Sequence, residues 1–268
     1  MREFIKKYEI WIFLVLGPIL NVFFVEARIQ GFMPSYIYNT GRFCVLLLLL
    51  ICLLSFTRGI KGIKNLFKPM CNWKVHPKWY LLSLIFPSTI AIVTLVLKAF
   101  YHEVEYSSFI DIRFSTFRGY IALFVWAFIG EVVWVSYSIG ELSKITKPFY
   151  AGQIVAVFWG LWFIPIILLG EGIFPDIPIG PAFMFRFGAA GMCAFIYTRT
   201  KSGICVLMLQ YAVNLTLVSL PITPGNGGAT TYTAFGIIYF LTMLGLWGLD
   251  YLIKKNKNKE SIQNNYIS

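Results

Sequence analysis

Long apolar runs constrain this chain more than any other feature of its sequence. Eight stretches are apolar over roughly 16 to 24 residues, the length that an α-helix needs to cross about 30 Å of hydrocarbon. The runs cover residues 10–25, 37–56, 80–100, 117–139, 149–169, 180–198, 203–220 and 233–253. The chain is 58% hydrophobic and 13% charged, which excludes a water-soluble enzyme. We therefore predict an all-α fold, a polytopic membrane helix bundle of about eight transmembrane helices.

The Lys and Arg residues indicate how these helices are oriented. Seventeen of the 23 lie before the first run, in 57–79, in 140–148, in 199–201 or after the last run. Five lie on the other side of an eight-helix topology, and Arg186 lies within the sixth run. Short loops rich in Lys and Arg stay cytoplasmic, so we expect a multi-pass protein of the cell membrane with both termini cytoplasmic. We therefore expect the net charge of +11 to interact with the anionic membrane surface and not with nucleic acid.

No sequence feature indicates that the chain is divided into separate domains. No internal repeat and no Pro/Gly/Ser linker is found, so residues 1–253 are interpreted as a single membrane domain and 254–268 as a polar, basic cytoplasmic tail. The five cysteines form no C-x-x-C pair, and both histidines lie between apolar runs. We expect no metal site and no cofactor.

A few polar residues lie deep in the apolar runs, where an unpartnered polar group is costly and often functional. Glu131 is the one acid well inside a run, and it is joined by Gln153, Gln210 and Asn214. Arg186 lies near the outer end of its run, so its flexible stem is expected to carry the charge outward to the interface. The alternative for Arg186 is a substrate anchor.

Three short segments carry a family resemblance. Residues 130–137 read G-E-V-V-W-V-S-Y and resemble E-E-x-x-W-R-G-Y, the first motif of the CPBP family of CAAX proteases and bacteriocin-processing proteins, also called Abi proteins. Residues 159–165, W-G-L-W-F-I-P, are similar to the second motif, W-A-L-W-H-L-P. Residues 210–214, Q-Y-A-V-N, are similar to the third, H-x-x-x-N. The order and helix spacing agree, so the resemblance implies a CPBP-like core over about 117–220. It also implies that Glu131, Phe163 and Gln210 face one interior cavity.

The resemblance implies intramembrane peptide hydrolysis, in which a glutamate and histidines activate a water. The residues that do this work in the family are replaced here. Gly130 stands for the first glutamate, Val135 for the arginine, Phe163 for one histidine and Gln210 for the other. The second glutamate is kept as Glu131, and the polar partner of the third motif is kept as Asn214.

Each retained residue has a functional and a structural interpretation. Glu131 is either a remnant catalytic or ligand-binding acid or a neutral, hydrogen-bonded core acid. In an α-helix, positions 131 and 135 share a face, and Val135 offers no cation there. Gln210 and Asn214 also share a helical face, and hydrogen bonds between helices are the interpretation we favour for them.

Two functional hypotheses follow. The first is a pseudoprotease of this family that acts by binding, as a scaffold, a chaperone-like partner or a bacteriocin-immunity protein in a bacterial membrane. The second is an atypical CPBP endopeptidase that uses Glu131. Both imply contact with membrane lipid, and the first also implies another membrane or cell-envelope protein as partner. A transporter is disfavoured because the chain has neither two matching halves nor paired half-length helices.

Overall fold

Helices make up 85% of the computed structural model, which describes residues 1–102, 111–170 and 176–267. Of residues 35, 36 and 258–267 only the backbone is described, and no strand occurs in any of the described ranges. The helices are α1 (Arg2–Lys7), α2 (Glu9–Ile29), α3 (Ser35–Phe67) with a 3-10 turn (Lys68–Cys71), α4 (Pro77–Tyr101), α5 (Phe117–Gly130) continued by a π-helix (Glu131–Ile139), α6 (Gly140–Leu142), α7 (Pro148–Leu168), α8 (Ile179–Thr200), α9 (Gly203–Ser219), α10 (Pro224–Gly227) and α11 (Ala229–Ile267).

Eight helical segments of the described chain are long and apolar enough to cross a membrane. They are Glu9–Ile29, Ile37–Cys71, Pro77–Tyr101, Phe117–Leu142, Pro148–Leu168, Ile179–Thr200, Gly203–Gly227 and Ala229–Lys257. Each coincides with one predicted apolar run, so the predicted all-α polytopic bundle is confirmed. The last helix continues past residue 253, and the polar segment that follows is helical as far as Ile267.

The outer surface of the bundle is apolar, as a surface facing lipid must be. Large aliphatic side chains such as Leu48, Leu81, Leu97 and Leu241 are more than half exposed. A water-soluble monomer rarely exposes apolar patches on this scale. The multi-pass character of the protein thus rests on what the helices expose as well as on their length.

Contacts between the connecting segments define two ends of the bundle. At one end, here called the basic face, the N-terminus meets the end of the second span. That end and the segment after it meet the ends of the fourth and sixth spans, and the sixth span meets the eighth. The contacts are Arg2 with the Thr57 carbonyl, Arg58 with Glu141, Asn72 with the Thr200 carbonyl, and Arg199 with Asp250. At the other end, the opposite face, the Arg113 amide donates to the Ser219 carbonyl at 2.8 Å. The basic segments therefore share one end.

Helix α8 lies at the centre of the bundle. In the most apolar stretch of α8, 67% of the residues are buried, whereas 17% are buried in the corresponding stretch of α11. Small residues let its neighbours approach closely, because a Cβ on Gly152 of α7 would lie 2.9 Å from Ala194 Cβ and 3.1 Å from the Ala190 carbonyl oxygen of α8. Such contacts are typical of helix pairs in membranes. They fix α7 against α8, and both helices contribute to the cavity described next.

Candidate functional site

A cavity lies inside the bundle, bordered by α3, α5, α7, α8, α9 and α11. Its empty volume is about 940 Å³, including the open mouth. Most of the wall is aliphatic or aromatic. The polar side chains of the wall are Arg42, Arg186, Gln210, Asn214, Tyr232 and Tyr239. Apolar walls with a few convergent polar groups are typical of ligand sites.

The sequence departs from the resembled motifs at four positions, and three of them line this cavity. Gly130, Phe163 and Gln210 all line it. A Cβ placed on Gly130 would lie 2.8 Å from Gln210 Oε1, so the first and third motif positions touch directly. Val135 is buried elsewhere and is not part of the wall. The structure thus places Phe163 and Gln210 in one cavity, as expected, with Gly130 beside Gln210.

Glu131 does not join them. Its side chain is 0% exposed and is not among the described residues that line the cavity. Its Oε1 accepts a hydrogen bond from Ser136 Oγ at 2.6 Å. A Cβ on Gly203, at the start of α9, would lie 3.0 Å from the same oxygen, so this carboxyl group faces the packed interior. The expectation that Glu131 would share one cavity with Phe163 and Gln210 is wrong.

The local helix type explains where Glu131 points. Residues Glu131–Ile139 form a π-helix, in which the backbone pairs residues five apart. The side chains follow the same spacing: Ser136 donates to Glu131, and Ser138 Oγ donates to the Val133 carbonyl oxygen at 2.7 Å. The α-helical pairing of positions 131 and 135 expected from the sequence is therefore replaced by a pairing of 131 and 136. Longer i to i+5 turns are frequent at functional sites.

The interior amides differ in their roles. Asn214 Nδ2 donates to the Leu123 carbonyl oxygen of α5 at 3.4 Å, and Gln153 Nε2 donates to the Phe187 carbonyl oxygen of α8 at 3.4 Å. Both link neighbouring helices, as expected for Asn214, whereas the same role expected for Gln210 is not seen for its Nε2 donor. Gln210 Nε2 is buried and has no hydrogen-bond partner among the described residues. One donor in the cavity wall is thus unsatisfied.

Arg186 is buried in the wall and does not reach the interface. It is 7% exposed, and its Cζ lies 4.0 Å from the ring centroid of Phe163. The expectation that it extends outward is wrong, because α3, α7 and α11 enclose its end of α8. Arg42 of α3 is 5% exposed, and its Cζ lies 5.6 Å from the same centroid and 4.7 Å from that of Trp162. Phe163 is therefore a shared aromatic contact for two cations.

Arg42 was not predicted as a site residue, because its charge was assigned only to the side of the membrane opposite the basic loops. The available signal was its position inside the second apolar run, where a charge is rare and costly. Glu9 was also missed, since it precedes the first run. It is 2% exposed at the basic face, where it is ion-paired with Arg58 at 2.6 Å and accepts from the Tyr137 hydroxyl at 3.0 Å.

The fold defines a multi-pass helical membrane protein, and its cavity places two cationic side chains inside the bundle. The chain matches no model of a known protein family and no curated protein. Within the described ranges, no group of three or more His, Cys, Asp and Glu residues comes together as a metal site would require.

Proposed function

We propose that this protein works by binding a ligand or partner within the membrane and does not hydrolyse peptide bonds. One observation carries the proposal: the cavity contains Gly130, Phe163 and Gln210 at the motif positions, while Glu131 faces the packed interior. The described part of the cavity wall contains no carboxylate and no histidine. It therefore offers no group that could take a proton from a water at neutral pH.

The chemistry of hydrolysis explains why this arrangement supports the proposal. A general base must lie within hydrogen-bond reach of the proton that it removes, and each acid or base contributes typically about 10² to 10⁴ in rate. A glutamine amide donates and accepts hydrogen bonds but does not titrate. Phe163 occupies its position with an apolar ring, and Glu131 Oε1 is already engaged by Ser136. A site with these losses supports binding better than catalysis.

The test compares peptide cleavage by the purified protein and by its Glu131→Gln variant in lipid nanodiscs, with a peptide library as substrate. We expect no cleavage above the background of empty nanodiscs with either protein. Glu141→Gln is the matched control, because Glu141 belongs to the same span but is ion-paired with Arg58 at 2.9 Å near the basic face. Cleavage that is present in the wild type and in Glu141→Gln but absent in Glu131→Gln would overturn the proposal in favour of an atypical endopeptidase.

The binding role includes a second membrane or cell-envelope protein as partner, as the resemblance to immunity-linked members of the CPBP family suggests. A pull-down from native membranes in mild detergent tests it. A reproducible stoichiometric partner supports the scaffold or immunity role. A pull-down that recovers no partner while the protein retains bound lipid would restrict the function to lipid binding.

A further inference from the structure

The cavity contains an excess of buried hydrogen-bond donors. Nε and Nη1 of Arg42, Nε of Arg186 and Nε2 of Gln210 are buried without a hydrogen-bond partner in the described structure, as is the Tyr239 hydroxyl. All four residues line the same cavity. Buried polar groups in native proteins are normally paired. A set of unpaired donors therefore indicates a ligand rich in acceptor atoms.

Arg42 and Arg186 also differ from Arg58 and Arg199, two arginines at the basic face that are ion-paired. At the basic face, Arg58 is ion-paired with Glu9 at 2.6 Å and with Glu141 at 2.9 Å, and Arg199 is paired with Asp250 at 2.6 Å. No described carboxylate lies within ion-pair distance of Arg42 or Arg186, although both are more deeply buried than Arg58. Taking an unpaired charge out of water is expensive, so a bound ligand is expected to supply the anion that the described residues lack.

The positions of the arginines suit a single ligand. Arg42 is seven residues from the start of α3 at Ser35, and Arg186 is seven residues from the start of α8 at Ile179. Both helices start at the opposite face, and a rise of about 1.5 Å per residue places both cations about 10 Å from the helix ends. The Cζ atoms of Arg42 and Arg186 lie 5.6 Å and 4.0 Å from the centroid of the Phe163 ring, so one ring is close to both cations. The charges thus lie at one depth, below the membrane surface.

We propose that this cavity binds the phosphate monoester head group of a membrane lipid through Arg42 and Arg186. A phosphate monoester carries about −1.5 to −2 charges at neutral pH, which balances two guanidinium groups. Its three oxygens accept from the planar donor pairs of arginine. Gln210 and Tyr239 supply further donors. The assignment rests on the binding function proposed above and names its ligand.

The walls favour a lipid over a free phosphate ion as the source of the head group. Apart from the six polar side chains, the cavity is lined by aromatic and aliphatic residues, including Trp126, Trp159 and Leu217. Such a surface packs against a hydrocarbon chain and gains from its burial. A free phosphate ion uses only the polar donors of the cavity and gains nothing from this apolar surface. The chain attached to the phosphate therefore adds affinity that the inorganic ion lacks.

The experiment measures binding by isothermal titration calorimetry to full-length protein that has been delipidated in a non-ionic detergent. The probes are short-chain phosphatidate, which is a monoester, short-chain phosphatidylglycerol, which is a singly charged diester, and inorganic phosphate. We expect phosphatidate to bind at least tenfold more tightly than either of the others. Inorganic phosphate that binds as tightly as phosphatidate would overturn the lipid assignment, and phosphatidylglycerol that does so would overturn the monoester assignment.

Variants locate the site. Arg42→Gln and Arg186→Gln each remove hydrogen bonds to a charged group, so each is expected to weaken phosphatidate binding about 10- to 100-fold. Arg118→Gln is the matched control, since Arg118 is an exposed residue at the start of α5 on the opposite face and its loss changes the net charge equally. If either glutamine variant fails to fold, Arg186→Lys keeps the charge, loses the planar donor pair and is expected to show a smaller loss than the glutamine variants.

Unchanged affinity in the folded Arg42 and Arg186 variants, or an equal loss in Arg118→Gln, would overturn the proposal. The result is separable from the test of hydrolysis. A protein that neither cleaves peptides nor binds phosphatidate retains the proposed binding function and loses this ligand. A protein that cleaves peptides loses the binding function, whatever it does with phosphatidate.

Discussion

Replacement of Arg186 by methionine is predicted to stabilise the ligand-free protein. The usual expectation for a buried residue is the reverse, because most substitutions in a core destabilise. Arg186 differs because it is 7% exposed, carries a charge and has no carboxylate partner in the described structure. Methionine has a similar length and fills irregular space well. The substitution therefore removes an uncompensated charge without leaving a large void.

Three contributions determine the size of this stabilisation. The cost of burying the charge and the repulsion from Arg42 favour the variant, and the contact with Phe163 favours the wild type. The effective cost of burying a charge in a protein is several kcal/mol per ion. Contact with the Phe163 ring at 4.0 Å offsets about 2 kcal/mol of it, as desolvated cation–π contacts do. Repulsion from Arg42 adds to the cost, and its removal favours the variant. We expect Arg186→Met to raise the free energy of unfolding by about 1 to 3 kcal/mol, a range consistent with known replacements of buried charges by apolar residues.

Two further arginines provide controls with the same substitution. Arg58→Met leaves Glu9, which is 2% exposed, without its cation. Breaking such a pair costs about 3 to 5 kcal/mol, and we expect about 3 because Arg58 is one-third exposed. Arg118→Met changes an exposed residue and is expected to stay within about 0.5 kcal/mol of the wild type. Three arginines of one chain are thus predicted to give three different outcomes.

The assay is equilibrium unfolding of delipidated protein in mixed micelles, followed by tryptophan fluorescence. Phosphatidate at about 100 times its dissociation constant should then stabilise the wild type by about 2.7 kcal/mol and leave Arg186→Met nearly unchanged. If Arg186→Met destabilised the ligand-free protein as much as Arg58→Met does, Arg186 would have a compensating partner, and the reasoning from an unpaired charge would be refuted.

Three other predictions concern packing, the interior acid and topology. Gly152→Val places methyl groups against Ala194 and should cost about 1 to 3 kcal/mol of stability in the same unfolding assay, whereas Gly225→Ala, with open space around it, should be tolerated. Ser136→Ala removes the described hydrogen-bond donor to Glu131 and should cost about 1 kcal/mol, an effect that should shrink when Glu131→Gln is already present, as a double-mutant cycle would measure. A reporter fused to the C-terminus should be active only in the cytoplasm, and activity only outside the cell would contradict the orientation inferred from the basic residues.

Local hydropathy was sufficient to predict the helical architecture. Each of the eight apolar runs corresponds to a membrane-spanning helix, because a backbone in hydrocarbon has few ways to satisfy its hydrogen bonds other than a helix. The motif letters also predicted that Phe163 and Gln210 line one cavity, which is confirmed, whereas the prediction that Glu131 joins them is wrong. Both results depend on properties that can be read along one segment at a time.

Local hydropathy could not predict that the helix changes from α to π hydrogen bonding at Glu131. A shift from α to π hydrogen bonding turns its carboxyl group from position 135 towards Ser136 and away from the cavity. The two helix types differ by one residue in the spacing of their hydrogen bonds, and the neighbouring helices decide between them. The apolar sequence of 131–139 is compatible with either.

The cationic cavity was likewise decided by the tertiary structure. Arg42 and Arg186 are 144 positions apart in the chain, and each alone resembles a basic residue near a helix end that could reach water. The rotation and crossing of α3, α7 and α8 turn both towards Phe163 and enclose them. The sequence determined that each charge lies within an apolar helix, because hydropathy is a property of the segment. Only the packing of the helices determined that the two charges lie beside one aromatic ring with no carboxylate of the described residues paired to them. Burial and ion pairing are properties of the assembled bundle.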